Sequence, residues 1–165
     1  MAPTRPTPSI RRLGTGLFAG AAGLTLAFAP GTAVAAEPAP ASSSTAAAPS
    51  EAVQKAVDTA RAQVGKPYRY GGAGPDSYDC SGLTQYAYRA AGIELPHSSR
   101  SQSEMGTPVA RADLQPGDLV FFYEPVSHVG IYVGDGQMVD AGSEETGVSQ
   151  RTVDMEGYNF ARRIV

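Results

Sequence analysis

One cysteine, Cys80, and two histidines, His97 and His128, are the residues whose types point most directly to a reaction. A thiol paired with an imidazole is the apparatus of nucleophilic catalysis: sulfur attacks an acyl carbon, and the ring accepts and returns a proton. Cys80 follows Asp79, a good helix N-cap, so it is expected in the first turn of a helix. There, unpaired backbone N–H groups and the helix dipole favour a thiolate, and the same amides face an oxyanion that develops on attack. The other readings of a lone cysteine are a buried passenger or an intermolecular link.

His128 is the preferred base. It opens the run His128-Val129-Gly130-Ile131-Tyr132-Val133, whose β-branched and aromatic residues predict a strand, a rigid seat for an imidazole. His97 sits between Pro96 and Ser98 in an expected loop and reads as a solvated histidine. A third group ordinarily orients the base, and Asp140 is the candidate. It lies near the end of the run 137–141, which pairs back on the His128 strand across the hairpin signal Gly134-Asp135-Gly136. Asp118 is a rival, although Pro116-Gly117-Asp118 is first a turn signature. With one cysteine, two distant histidines and no His-Glu-x-x-His, no metal site is expected, and no cofactor is called for.

The elements that must position these groups can be read from periodicity. Val53, Ala56, Val57, Ala60 and Val64 recur at helical spacing behind Ser50 as N-cap, and Gly65 and Pro67 stop that helix. The loop 68–78, dense in glycine, must let backbone approach something closely. A second helix is expected from Cys80 to about Ala91, with Leu83, Tyr86, Ala87 and Ala90 as its stripe and Gly92 as the C′ residue. A short helix follows near 99–105, then strands at 119–123, 128–133, 137–141, 148–153 and 160–165. Helices first and an antiparallel meander second make an α+β domain, with the N-terminal helices packed on an antiparallel β-sheet.

The first 35 residues carry the three-part pattern of a secretory signal: basic Arg5, Arg11 and Arg12, an uncharged run over 13–29, and the small-x-small site Ala33-Val34-Ala35. Residues 36–50, almost all Ala, Pro, Ser and Thr, are expected to be a disordered linker. One domain is left, residues 51–165. Removing the signal leaves ten basic against sixteen acidic residues. That charge disfavours a nucleic-acid partner, because a phosphate backbone needs a basic patch. The expected product is a secreted, wall-located monomer with no membrane insertion after signal cleavage.

Four blocks then resemble the NlpC/P60 family of cell-wall cysteine peptidases. They are Gly65-Lys66-Pro67-Tyr68-Arg69-Tyr70-Gly71-Gly72, Asp79-Cys80-Ser81-Gly82-Leu83, Leu114-Gln115-Pro116-Gly117-Asp118-Leu119-Val120-Phe121-Phe122 and the His128 strand. The resemblance implies a papain-like fold of permuted topology, a Cys–His–polar arrangement, and peptidoglycan stem peptides as substrate, cut between γ-D-glutamate and the diamino acid. It places Cys80 as nucleophile and His128 as base. Tyr68 lines the site beside the cysteine, and Asp79 and Ser81 help to bind the stem peptide. Asp140 stands where most members have a third histidine, and Tyr70 where tryptophan is common. Competing readings are an amidase or acyltransferase using the same Cys–His pair, and an inert secreted wall-binding domain.

Overall fold

The structure, a computed structural model, describes residues 50–165; the expected signal (1–35) and linker (36–50), Ser50 excepted, lie outside the described residues. Three helices come first, α1 (Glu51–Arg61), α2 (Cys80–Ala90) and the short α3 (Ser99–Ser103). Six strands follow: β1 (Thr107–Val109), β2 (Leu119–Phe122), β3 (His128–Gly134), β4 (Gln137–Ala141), β5 (Val148–Thr152) and β6 (Tyr158–Arg163). They form one sheet in the order β1-β6-β2-β3-β4-β5, with every pairing antiparallel. β2 to β5 are a meander, and β6 returns to lie between β1 and β2.

Each helix starts on a side-chain cap. The Ser50 side chain accepts the Val53 N–H, that of Asp79 the Gly82 N–H, and that of Ser98 the Ser101 N–H. α1 ends at Arg61, a turn earlier than its apolar spacing predicts, and Val64 is 47% exposed rather than part of the stripe. On α2 the stripe is wider than expected. Tyr88 is fully buried, and its hydroxyl donates to the Gly117 carbonyl, which ties the helix to the turn before β2.

Period-two alternation divides the strand residues between two faces. Phe121, Val129, Ile131, Val133 and Val139 pack with Val57, Leu83 and Ala87 of the helices. Val120, Phe122, Met138 and Ala161 form a second cluster. This two-sided burial explains why Leu119-Val120-Phe121-Phe122 reads as an unbroken apolar run. Burying each such side chain contributes roughly 1.5–3 kcal/mol.

β2, β3 and β5 each differ from expectation by one residue at their C-terminal end, and two larger differences, at β6 and β1, have a physical reason. β6 begins at Tyr158 because its pairing with β2, not its own apolar ending, sets its limits. β1, an edge strand of three residues held only by β6, leaves no sequence pattern long enough to detect.

The glycine-rich loop approaches α2 closely, as its composition requires. Asp79 N–H donates to Gly72 O at 2.8 Å, and a Cβ at Gly82 would lie 1.9 Å from that same oxygen. Gly82→Ala is therefore expected to cost on the order of 1–3 kcal/mol, seen as a lower urea midpoint, because loop and helix must separate.

Candidate active site

Cys80 is the first residue of α2, partly exposed, and the free cysteine of the described residues. The N–H groups of Cys80 and Ser81 make no hydrogen bond among the described residues, as expected at a helix start. Both remain available to an oxyanion.

His128 opens β3 opposite Phe122, and its ring is buried. Its Nε2 lies 2.5 Å from Asp140 Oδ2, so Nε2 carries the proton shared with the carboxylate and Nδ1 is left for the sulfur. Burial pushes the imidazole pKa down, but hydrogen bonds with Asp140 and Cys80 and their charges outweigh it, lifting it from 6.5 to about 9. The ring is charged at neutral pH. Between pH 6.5 and about 9 the folded protein keeps a proton that the unfolded chain releases, so stability falls as pH rises through that window. The thermal midpoint should drop across that range in the parent protein and not in His128→Ala.

Asp140 is fully buried. Continuing the β3–β4 register places it opposite Gly130, diagonal to His128 on the same face; a Cβ at Gly130 would lie 3.2 Å from Asp140 Cβ. Burial raises its pKa, but hydrogen bonds and charges of His128 and Arg151 exceed that and hold the carboxyl below its ordinary value. Arg151 is the residue that sequence reasoning missed. Its Nε donates to Asp140 Oδ1 at 2.8 Å and a terminal nitrogen donates to Oδ2, a bidentate clamp. Ser149 faces Asp140 across β4–β5, so Arg151 sits two residues along on the same face. Thus His128, Asp140 and Arg151 project together from three successive strands.

Asp79 does more than cap α2. Its Oδ1 accepts the Gly82 N–H at 2.7 Å and the Ser81 hydroxyl at 3.1 Å, and its Oδ2 accepts the Gly71 N–H at 2.9 Å. His97 Nε2 meets the same carboxylate at 2.9 Å and 3.0 Å. His97 is an exposed loop residue, as expected, but it is also tied to the residue beside Cys80. No local pattern announced this contact, which joins the loop after α2 back to the helix start. Asp118 is likewise engaged elsewhere, with Arg163 at 2.8 Å and with Gln115 N–H, and does not reach His128.

Two cavities meet at Cys80 and Tyr68. One, about 390 Å³, is lined by Asp79, Ser81, His97, Gly71, Tyr70 and neighbouring serines. The other, about 300 Å³, is lined by His128, Arg151, Tyr123, Ser143, Thr146 and Met155 among others. Burial, then the charges of Cys80 and Asp79, raise the Tyr68 pKa, so its hydroxyl stays protonated, a donor facing the sulfur's surroundings. Tyr70 borders the first cavity but is 89% exposed, a rim more than a wall.

A family model described as NlpC/P60 family matches residues 65–163. A probable endopeptidase of Corynebacterium glutamicum strain R is 43% identical over 125 residues, 76% of this chain and 59% of that protein. The chain spans about half the length of the curated corynebacterial relatives it matches, 59% and 53%. Among solved structures, an NlpC/P60 family protein from Bacillus cereus superposes with a TM-score of 0.66 at 34% identity, covering 70% of this chain and 41% of that one. The peptidoglycan hydrolase RipB of Mycobacterium tuberculosis gives 0.64 at 32% identity, covering 69% and 65%. The α+β fold is the papain-like fold of these domains.

Proposed function

The chain belongs to the NlpC/P60 family, and on that premise we propose that it is a secreted cysteine peptidase hydrolysing peptidoglycan stem peptides between γ-D-glutamate and the diamino acid. The observation that carries this reading is the order of groups Cys80, His128, Asp140, with the thiol at a helix start and the imidazole held through Nε2 by a buried carboxylate. Residues 1–35 act as the export signal, 36–50 as the linker and 51–165 as the catalytic domain. The similarity to a peptidoglycan hydrolase supports the substrate class.

In this mechanism His128 takes the proton of the Cys80 thiol. Cys80 Sγ attacks the acyl carbon, and the Cys80 and Ser81 N–H groups, with the Tyr68 hydroxyl nearby, receive the developing oxyanion. His128 then passes its proton to the amine nitrogen as the C–N bond breaks, leaving a thioester and a free amine. Water attacks the thioester and gives His128 a proton. The C–S bond breaks, the sulfur leaves beside the protonated His128 so that the enzyme is restored, and the product carboxylic acid releases its proton to solvent. Asp140 fixes the ring and stabilises the imidazolium, and Asp79 and Ser81 hold the acyl side of the stem peptide.

Because the proton must reach the departing nitrogen, the amine side of the substrate lies in the cavity that contains His128, and the acyl side lies in the one lined by Asp79 and Ser81. Mass spectrometry of fragments from purified peptidoglycan and from a defined muropeptide is the test. The reading predicts a new amine on the diamino acid and a new carboxylate on D-glutamate. A wall and muropeptide left intact by active-thiol protein would remove it.

A further inference from the structure

Tyr123 is unexplained by the elements around it. Among the described residues it and Asp135 are the non-glycine positions with positive φ, at 70° and 52°. Asp135 sits in the β3–β4 turn, where that conformation is ordinary. A bulky aromatic residue in the left-handed region is an outlier, tolerated only where its surroundings impose it. Those surroundings are specific. Tyr123 N–H donates to Gly157 O at 2.6 Å, and Asn159 Nδ2 donates to Tyr123 O at 2.9 Å. Gly157, at φ +87°, makes room for the ring, since a Cβ there would lie 2.4 Å from Tyr123 Cε1. The ring held by these contacts is not core: Tyr123 is 45% exposed. It borders the cavity that also contains Cys80, His128 and Arg151.

We propose that Tyr123 is a substrate-binding and specificity residue, a wall for the side chain of the residue on the amine side of the scissile bond. The inference rests on the peptidase reading above and deepens it. A half-exposed aromatic ring on the wall of the cavity that His128 lines suits the aliphatic stem of a diamino acid, which offers methylene groups to the ring while its charged end remains in water. Strain held at a half-exposed ring that lines the cavity of Cys80 and His128 accords with pre-organisation for a ligand.

Tyr123→Gly and Tyr123→Asn both accept the left-handed backbone without the ring. Each should lower kcat/KM for a stem peptide about tenfold, mainly through KM. The preference for a diamino acid over glycine on the amine side should shrink by at least about fivefold. The rate of Cys80 alkylation by iodoacetamide should stay at the parent value, and the thermal midpoint should not fall below it. Unchanged kinetics, or activity lost in parallel with alkylation rate or thermal midpoint, would overturn the proposal while leaving the peptidase reading standing. Parent protein that cuts neither peptide would remove both.

Discussion

Cys80→Ala is expected to reduce stem-peptide hydrolysis by ~10⁴-fold or more, because among the described residues none of the hydroxyls lining the cleft is hydrogen-bonded to His128, so none has a base to activate it. Cys80 is partly exposed, and the change deletes one sulfur at a helix start already capped by Asp79. Folding stability should therefore move by less than about 1 kcal/mol. Progress curves on a defined muropeptide, read beside a thermal melt, separate the two effects. A folded variant that has lost all turnover is the expected result, and a variant that cleaves at the parent rate would exclude sulfur from the reaction.

His128→Ala is expected to be nearly as severe, a loss of about 10⁴-fold, since nucleophile and base act as a unit. Its effect on stability differs in kind. Asp140 is fully buried and loses one of its two charged partners, keeping only the clamp of Arg151. A buried carboxylate with a missing hydrogen bond costs about 1–3 kcal/mol, so this variant should melt earlier than Cys80→Ala. Its thiol should also react more slowly, because the imidazolium that holds the sulfur's proton is gone. Equal melting points for the two variants would mean that the His128–Asp140 contact does not contribute to the fold.

The contrast between these residues and the ones missed follows the range over which each contact is encoded. Asp79 as cap and Cys80 at the helix start depend on four neighbouring residues, so both were legible. His128 with Asp140 depends on one tight turn, Gly134-Asp135-Gly136, and a hairpin's register follows from its turn. Arg151 lies beyond a further loop, closed by Gly142 N–H to Gly147 O at 3.0 Å and Gly147 N–H to Ser143 O at 2.8 Å. No dipeptide signal fixes that loop's length, and one residue more or less would turn Arg151 to the other face. The partner of His97 was hidden for a related reason. The histidine is exposed in its loop, and only the way that loop folds back brings its ring to Asp79. Tyr88 lies one position off the predicted Leu83-Tyr86-Ala87-Ala90 spacing; it is buried because the turn at Gly117 closes over that side of α2 and its carbonyl accepts the hydroxyl.

The substitution of an aspartate for the third histidine expected from the family pattern becomes intelligible through Arg151. A buried carboxylate facing only an imidazole would be pushed toward its neutral form by desolvation. The guanidinium gives it a permanent cationic partner, holding it ionised whether or not His128 carries a proton. The His128 ring can then cycle between charged and neutral during turnover without losing its orientation.

Because the sequence contains a single cysteine, alkylation of the whole protein is alkylation at one known atom. Titrating the protein with iodoacetamide at neutral pH, and measuring the fraction carboxamidomethylated by intact mass beside the residual rate of muropeptide cleavage, therefore tests the central claim directly. Activity should fall in proportion to the labelled fraction and reach zero at one label per chain, with labelling slowed by stem peptide. Fully labelled protein that still released the fragments would contradict that claim.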